Sequence, residues 1–542
     1  MTNLVQKINQ YSVVFISLLS LSLLSGVIAF IATVNGPWGY SDSVEYIVTA
    51  RNLIRGIGFG IFNPSGKFVI TYLHPPLYPL LLSGLGVWGI DLVDAARWCN
   101  IILGVATVFL TGFVFLRFSR YPVTAILASI LTVFFPTTLE MFTSSMSEVL
   151  FLFLLVFSCF LLLQYFQKST TRSLLIAAFF CGLMPITRYV GVAIIFSAVV
   201  CVFLFSAGSW QERAKKSFLY GLSASIPVLI WFTVLYFGPS SALGGRNIQI
   251  NGEQLVAGFY FYREAVTEIL WNWIPFSRRS PFEILYQIRH IFLIVTFLVV
   301  SVITWIAGRH LAKKDRVQKF GLDVQIAAFF GIGVVSYIAF FTVSWLFTYP
   351  QPDLIDRLLM PIYFGVTLGL LGCWAVIRNA WLSSANLFAQ TIPWLLVFIA
   401  IYWYYPQLID VIIRSYENNT VTAYRWKDSQ VIHALEDLPA DQLIISSKSE
   451  AVLMWADRPA YDLMENLNPD FMKQNSPYGS DDTDAAQRVF RQGAVLVVFN
   501  DFPDQFESIY KRRGRERLAT IFDGLTIIGQ YPDGTIYMYP SK

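Results

Sequence analysis

Charge is what this sequence has least of. Of its 542 residues only 14% are Asp, Glu, Lys or Arg, and 55% are hydrophobic; a soluble globular chain carries about 25% charged residues. The deficit lies in long apolar runs, which excludes an ordinary soluble domain and points to lipid as the solvent. Cysteine is scarce too: Cys99, Cys159, Cys181, Cys201 and Cys373 all fall in apolar runs, and the polar C-terminal third has none. That excludes a disulfide framework and thiolate metal spacing. The formal net charge of +4 is too small to suggest a nucleic-acid partner. Internal repeats and low-complexity tracts are lacking, and the C-terminal tail has no glycine-rich phosphate loop, nucleophile–base pattern or metal spacing.

What the sequence does have is spans. A helix needs roughly 20 apolar residues to cross the hydrocarbon core. Segments of that kind fall near 11–34, 96–116, 121–137, 148–166, 173–186, 189–207, 217–238, 288–308, 323–347, 357–378 and 388–407. The first is too long for a signal-peptide core and lacks a small-residue cleavage pattern, so it reads as a retained anchor. The run from Pro75 to Gly89 is apolar but holds three prolines and three glycines, which suggests an interfacial or re-entrant helix.

Lys and Arg placement orients the spans. With the N-terminus in the cytoplasm, the cytoplasmic loops hold Arg117 and Arg120; Lys168 and Arg172; Arg213, Lys215 and Lys216; and Arg309, Lys313, Lys314, Arg316 and Lys319. The opposite short loops, 138–147 and 348–356, hold none. About eleven spans then leave the C-terminal segment outside. The expected class is a polytopic α-helical membrane protein with a transmembrane domain over 1–407, outer loops at 35–95 and 239–287, and a soluble extracytoplasmic α/β domain over 408–542. In the tail the pattern predicts a helix at Ser429–Leu438, strands at Gln442–Ser446 and Ala494–Phe499, and a hairpin of Leu525–Tyr531 and Thr535–Tyr539 turning at Pro532-Asp533-Gly534.

The first outer loop carries the chemistry. Asp42 follows the first span directly, and a helix is expected from Ser43 to about Arg55, stopped by Gly56. Asp42, Glu45 and Tyr46 then share a face. The plain reading of Asp42 and Glu45 is a capping box. Capping and catalysis are compatible, because a cap also fixes the carboxylate.

The spacing of Asp42, Tyr46, Ala50, Leu53 and Gly56, followed by Pro-Pro-Leu-Tyr at 75–78, resembles the GT-C superfamily of glycosyltransferases. More narrowly, it is similar to bacterial relatives of protein O-mannosyltransferase and lipid A aminoarabinose transferase. Ser-Glu-x-Leu-Phe at Ser147–Phe151, Thr-Arg-Tyr-x-Gly at Thr187–Gly191 and Asp-Arg-Leu-Leu-x-Pro at Asp356–Pro361 add to the likeness. It covers roughly the first 400 residues, and the order of the motifs is more specific than any one of them.

The resemblance implies a sugar moved from a polyprenyl-phosphate donor to an acceptor hydroxyl on the outer face of the inner membrane, with inversion. The acceptor is left open between protein, lipid and polysaccharide. The attacking hydroxyl needs a base, and the departing phosphate needs positive charge where negative charge develops. By resemblance Asp42 is the catalytic carboxylate. The following residue is Ser43, where related enzymes carry an Asp-Glu pair, so Glu45 is the candidate second acid. Glu148 is a third candidate, for orienting the acceptor or a metal, against a plain reading as a helix-start carboxylate. Tyr46, His74, Arg188, Arg246 and Arg357 form the implied substrate-binding set. Relatives often carry lysine where His74 stands, and an imidazolium is a weaker, pH-dependent cation. The plain alternative for Arg188 and Arg357 is snorkelling to the interface. Arg278 and Arg279 read as headgroup contacts, Lys511–Arg515 as a solvated helix end, and Trp271-Asn272-Trp273 as interfacial packing. No cofactor is demanded: an acidic pair could hold a divalent ion or work without one.

Two other classes fit part of the pattern. A lipid or glycan transporter would place ionisable residues near the bilayer midplane, often in paired repeats; here they fall at expected outer ends and no repeat is present. A non-catalytic receptor would keep its folding and its ligand without Asp42.

Overall fold

The computed structural model describes residues 2–119, 121–237, 247–248, 252–275, 286–314, 318–349, 354–381, 387–463, 493–504, 522 and 524–538. The chain is mostly helical, with a small sheet near its C-terminal end. Among the described residues eight helices are long and apolar enough to cross a membrane: Tyr11–Ala32, Leu92–Phe118, Glu148–Lys168, Trp210–Phe237, Arg289–Ala307, Gly321–Phe347, Asp356–Trp381 and Thr391–Glu417. Pro122–Val133 and Pro136–Phe142 make a ninth if taken as one span, bent by 69°. The bend falls at Pro136, which opens the second limb because proline fits a first helical turn but not an interior.

The segments expected at 173–186 and 189–207 are shorter helices, Thr171–Gly182 and Gly191–Phe205. At 1.5 Å per residue the first rises only about 18 Å, short of the roughly 30 Å core. A run of turns over 183–190 separates them and carries Arg188. Gly182 permits the close packing here, since a Cβ on it would lie 2.4 Å from the Ala224 carbonyl oxygen. Small residues bring backbones together where lipid gives helices little hydrophobic reason to associate. The Arg289–Ala307 helix has only 6% of its apolar stretch buried, which leaves the rest for lipid.

Between the first span and the Leu92–Phe118 helix the chain forms Ser41–Ile54, a two-strand ribbon of β1 (Ile61–Phe62) and β2 (Phe68–Val69), and Leu77–Gly86. The first-loop helix ends at Ile54 with Arg55 as its C-cap, and Gly56 follows with a φ of +73°, as expected of a glycine stop. Leu77–Gly86 is a single short helix followed by exposed Val87 and Trp88. A second ribbon joins β3 (Asn247–Ile248) to β4 (Thr348–Tyr349).

The tail holds a five-stranded sheet in the order β6 (Tyr461–Asp462), β5 (Ile444–Ser446), β7 (Val495–Phe499), β9 (Gly534–Met538), β8 (Thr526–Tyr531). β6, β5 and β7 run parallel; β9 and β8 form an antiparallel hairpin. β5 and β7 are buried throughout, as strands covered on both faces are. Ser429 caps the short helix Gln430–Ala434, and its hydroxyl donates to Asp533 in the hairpin turn at 2.5 Å.

The sheet region is stitched to the first loop. Asn418 donates to the carbonyls of Gly36 and Pro37, both at 2.9 Å, and Tyr424 N donates to Asn35 O at 3.0 Å. Gly36 has a φ of +102°, and a Cβ there would meet the Thr422 carbonyl oxygen at 2.6 Å. Arg51 and Arg55, at the far end of the first-loop helix, both pair with Asp457.

Candidate active site

The first-loop helix begins at Ser41 with Tyr40 as its N-cap. The capping bond comes from Ser43, whose Oγ accepts from Tyr40 N at 3.0 Å. This corrects the capping-box reading of Asp42 and Glu45. Both lie inside the first turns, and their carboxylates face cations from elsewhere in the fold.

His74 stands between the two acids, its Nε2 3.2 Å from Glu45 Oε2 and 3.8 Å from Asp42 Oδ1. Arg357 takes the other oxygen of Asp42 at 3.0 Å, and its Nη1 reaches Glu148 Oε1 at 3.9 Å. Arg188 Nη1 lies 2.5 Å from the same Glu148 oxygen. Three carboxylates and three cationic side chains thus form one continuous network. Arg188 and Arg357 turn inward, with side chains 16% and 15% exposed, so neither snorkels to the interface. Glu148 is the first residue of its helix, so it favours the helix dipole as well as facing the arginines.

Local packing explains the convergence. Leu77 N donates to Ile186 O at 2.8 Å and Tyr189 OH donates to Tyr72 O at 2.7 Å. These bonds tie the strap bearing His74 to the helix break bearing Arg188. Tyr78 OH donates to Asn100, whose amide donates to the carbonyls of Ser144 and Met146. That fixes the loop leading to Glu148. Tyr46 is buried; its hydroxyl lies 3.0 Å from Ser147 Oγ and 3.4 Å from His74 Nδ1. It supports the cluster from behind.

The network sets protonation. Burial alone would raise the Asp42 carboxyl, but His74, Arg357 and Arg188 outweigh it and hold it below the ordinary carboxylate range. Burial would likewise lower His74, but Glu45 and Asp42 outweigh it and raise the imidazole above its ordinary value. The network thus favours the ionised form of Asp42 and the cationic form of His74. Asp42 and Glu45 keep partly open side chains, 24% and 27% exposed, whereas Glu148 is 1% exposed. Glu148 Oε2 is buried with no hydrogen-bond partner among the described residues. Among those residues no group of three or more His, Cys, Asp or Glu side chains is arranged to hold a metal ion.

Seven of the eight sequence candidates therefore meet in one place. The eighth, Arg246, lies outside the described residues, as do Arg278, Arg279 and Lys511–Arg515. Trp271 is buried in packing. Sequence reasoning missed Tyr40, Glu140 and Arg414, which flank the network. Arg357 lies over the Tyr40 ring, Tyr40 bonds Glu140, and Arg414 pairs with Glu140. One signal was available: Glu140 is the only charged residue between Tyr121 and Ser147.

The fold resembles that of the GT-C superfamily of polytopic membrane glycosyltransferases. The profile of the dolichyl-phosphate-mannose-protein mannosyltransferase family matches residues 73–237. ArnT from Cupriavidus metallidurans, solved bound to undecaprenyl phosphate, is similar over 98% of both chains, with 12% identity and a TM-score of 0.53. The oligosaccharyltransferase of Archaeoglobus fulgidus, tethered to an acceptor peptide, is similar over 97% of this chain and 74% of its own, with 12% identity and a TM-score of 0.53. The mycobacterial arabinofuranosyltransferase AftD matches 97% of this chain with 40% of its own, at 13% identity and a TM-score of 0.54. No curated protein matches the chain by sequence.

Proposed function

We propose that the protein transfers a sugar from a polyprenyl-phosphate donor to an acceptor hydroxyl at the outer face of the inner membrane, inverting the anomeric carbon. The observation that carries this reading is the meeting of Asp42 and Glu148 with Arg357 and Arg188. Such a cluster supplies a base and an anion site side by side. ArnT, which shares the fold, binds undecaprenyl phosphate.

In this mechanism the acceptor oxygen attacks the anomeric carbon and its proton passes to Asp42. The bond from that carbon to the phosphate oxygen breaks, and its electron pair leaves with the lipid phosphate. Arg357, Arg188 and His74 stabilise the charge that develops there. Glu45 holds His74, Glu148 holds the two arginines, and Tyr46 props the imidazole. Arg246 is assigned to the same anion site on sequence alone.

The reading divides the chain into a catalytic transmembrane part over 1–407 and an extracytoplasmic α/β domain over 408–542, with the N-terminus cytoplasmic; the helix Leu387–Glu417 runs ten residues past that boundary. The test is transfer from radiolabelled polyprenyl-phosphate sugars to membrane extracts, comparing wild type with Asp42→Asn at equal insertion. Transfer abolished in the variant supports the reading. Equal transfer removes Asp42 as base. No transfer by folded wild type from any donor returns the transporter reading.

A further inference from the structure

The strongest unassigned feature is a ladder of side chains behind Arg357. Among the described residues Arg357 makes one close ion contact, 3.0 Å to Asp42, with a longer reach to Glu148 and a contact of 3.6 Å to Met146 Sδ. Its Nε is buried and has no hydrogen-bond partner among the described residues. Among the described residues few hydrogen bonds therefore fix the plane of the guanidinium. What lies under it is an aromatic face: its Cζ is 4.6 Å from the Tyr40 ring centroid, within the range of a cation–π contact.

The Tyr40 ring is itself held. Its hydroxyl donates to Glu140 Oε1 at 2.6 Å. Glu140 is balanced by Arg414 at 3.5 Å, and Arg414 lies over the Trp38 ring at 5.3 Å. The backbone around Glu140 is equally fixed: its carbonyl accepts from Thr143 Oγ1 at 3.0 Å and Ser144 Oγ at 2.5 Å. Beyond the 69° bend, the end of this short limb is joined to the first loop: Trp38 N donates to Thr143 O at 2.8 Å and Ser145 N donates to Trp38 O at 2.9 Å. A carboxylate in an otherwise uncharged bent span is costly to keep. Tyr40 and Arg414 are the partners that account for it.

We propose that Glu140 is a positioning residue, which acts through Tyr40 to hold the Arg357 guanidinium against Asp42. This rests on the transfer reading above. Glu140 takes no part in the reacting bonds. Its effect is on the orientation of a cation that must meet a departing phosphate, where a small misplacement is expensive.

The experiment is a set of kinetic cycles on full-length protein with the labelled donor, reading kcat and donor KM separately and thermal unfolding alongside. Glu140→Ala and Tyr40→Phe are each expected to lower kcat about 10-fold with donor KM little changed. Combined, they should be no slower than either alone, because both cut the same link. Glu140→Gln keeps an acceptor oxygen and should recover most of the rate. In an Arg357→Lys background, Glu140→Ala should cost little more. Multiplying losses of about 100-fold in the Tyr40–Glu140 double variant, or a wild-type rate in Tyr40→Phe, would overturn the proposal. If Glu140→Ala fails to insert, Tyr40→Phe and Glu140→Gln still decide it. An Arg357→Lys protein that transfers at the wild-type rate overturns the transfer reading of Arg357, and this inference falls with it. A collapse in Arg357→Lys with no effect at Glu140 and Tyr40 overturns the inference alone.

Discussion

Arg188 and Glu148 form a 2.5 Å ion pair in which the carboxylate is 1% exposed. The arginine comes from the turns between two short helices and the glutamate from the first residue of a long one. Charges this deep need their partners, and removing one costs about 3–5 kcal/mol by leaving the other uncompensated. Arg188→Met is expected to destabilise the protein by about that amount in detergent unfolding, since Arg357 stands farther from Glu148. Adding Glu148→Gln should restore much of the loss without restoring transfer. Wild-type unfolding in the single variant would mean that the pair does not support the fold.

The second prediction concerns pH. His74 is raised above its ordinary 6.5 because Glu45 and Asp42 outweigh the effect of burial. Its ionic contribution is full below 6.5 and is lost as pH rises through the raised value. Asp42 is lowered beneath 3.8, so its contribution is present above 3.8 and is lost only in stronger acid. Transfer should therefore fall on the alkaline side first. Its pH profile should show an alkaline limb above 6.5, and a flat profile through the alkaline range would remove His74 from the anion site.

Two substitutions should move that limb in opposite directions. Glu45→Gln removes the nearer carboxylate and should shift it to lower pH. His74→Lys substitutes a cation of far higher ordinary pKa and should shift it to higher pH, at some cost in rate. Identical profiles in all three proteins would assign the limb to another group.

The seam between the first loop and the tail gives the fourth prediction. Gly36→Ala places a Cβ against the Thr422 carbonyl oxygen at a backbone angle that L residues rarely adopt. The expected cost is about 1–3 kcal/mol. Limited proteolysis should then cut faster near residues 418–424. Unchanged proteolysis and unfolding would show that the seam tolerates the displacement.

Much of this was legible in the sequence because it is local. Asp42, Glu45 and Tyr46 share a face by helical spacing alone, and Gly56 marked the helix end. Hydropathy located the eight helices long and apolar enough to cross a membrane, since lipid demands one apolar turn after another, but not the 21-residue helix Gly252–Asn272 inside the expected outer loop. The tail strands β5, β7, β8 and β9 fell within a residue or two of the pattern, whereas the two-residue edge strand β6 was too short to carry one. Thr187–Arg188 was expected as a break, yet hydropathy did not tell two full spans from two shorter helices. The Asp42–Arg357 pair depends on how distant helices pack, and no local period reports that. Capping by Ser43 rather than Asp42 was missed because both residue types cap well, and the choice falls to the cations that claim the carboxylate.

The bonds from Asn35 to the Tyr416 carbonyl and from Asn418 back to Gly36 and Pro37 join stretches about 380 residues apart. During synthesis the early stretch leaves the ribosome long before the late one exists. The turn ahead of Asp42 therefore waits, unfastened, until the Thr391–Glu417 helix has been made. The geometry around Asp42 becomes one of the later events of biogenesis, and a nascent chain arrested before residue 416 would be embedded in the bilayer with this seam unmade.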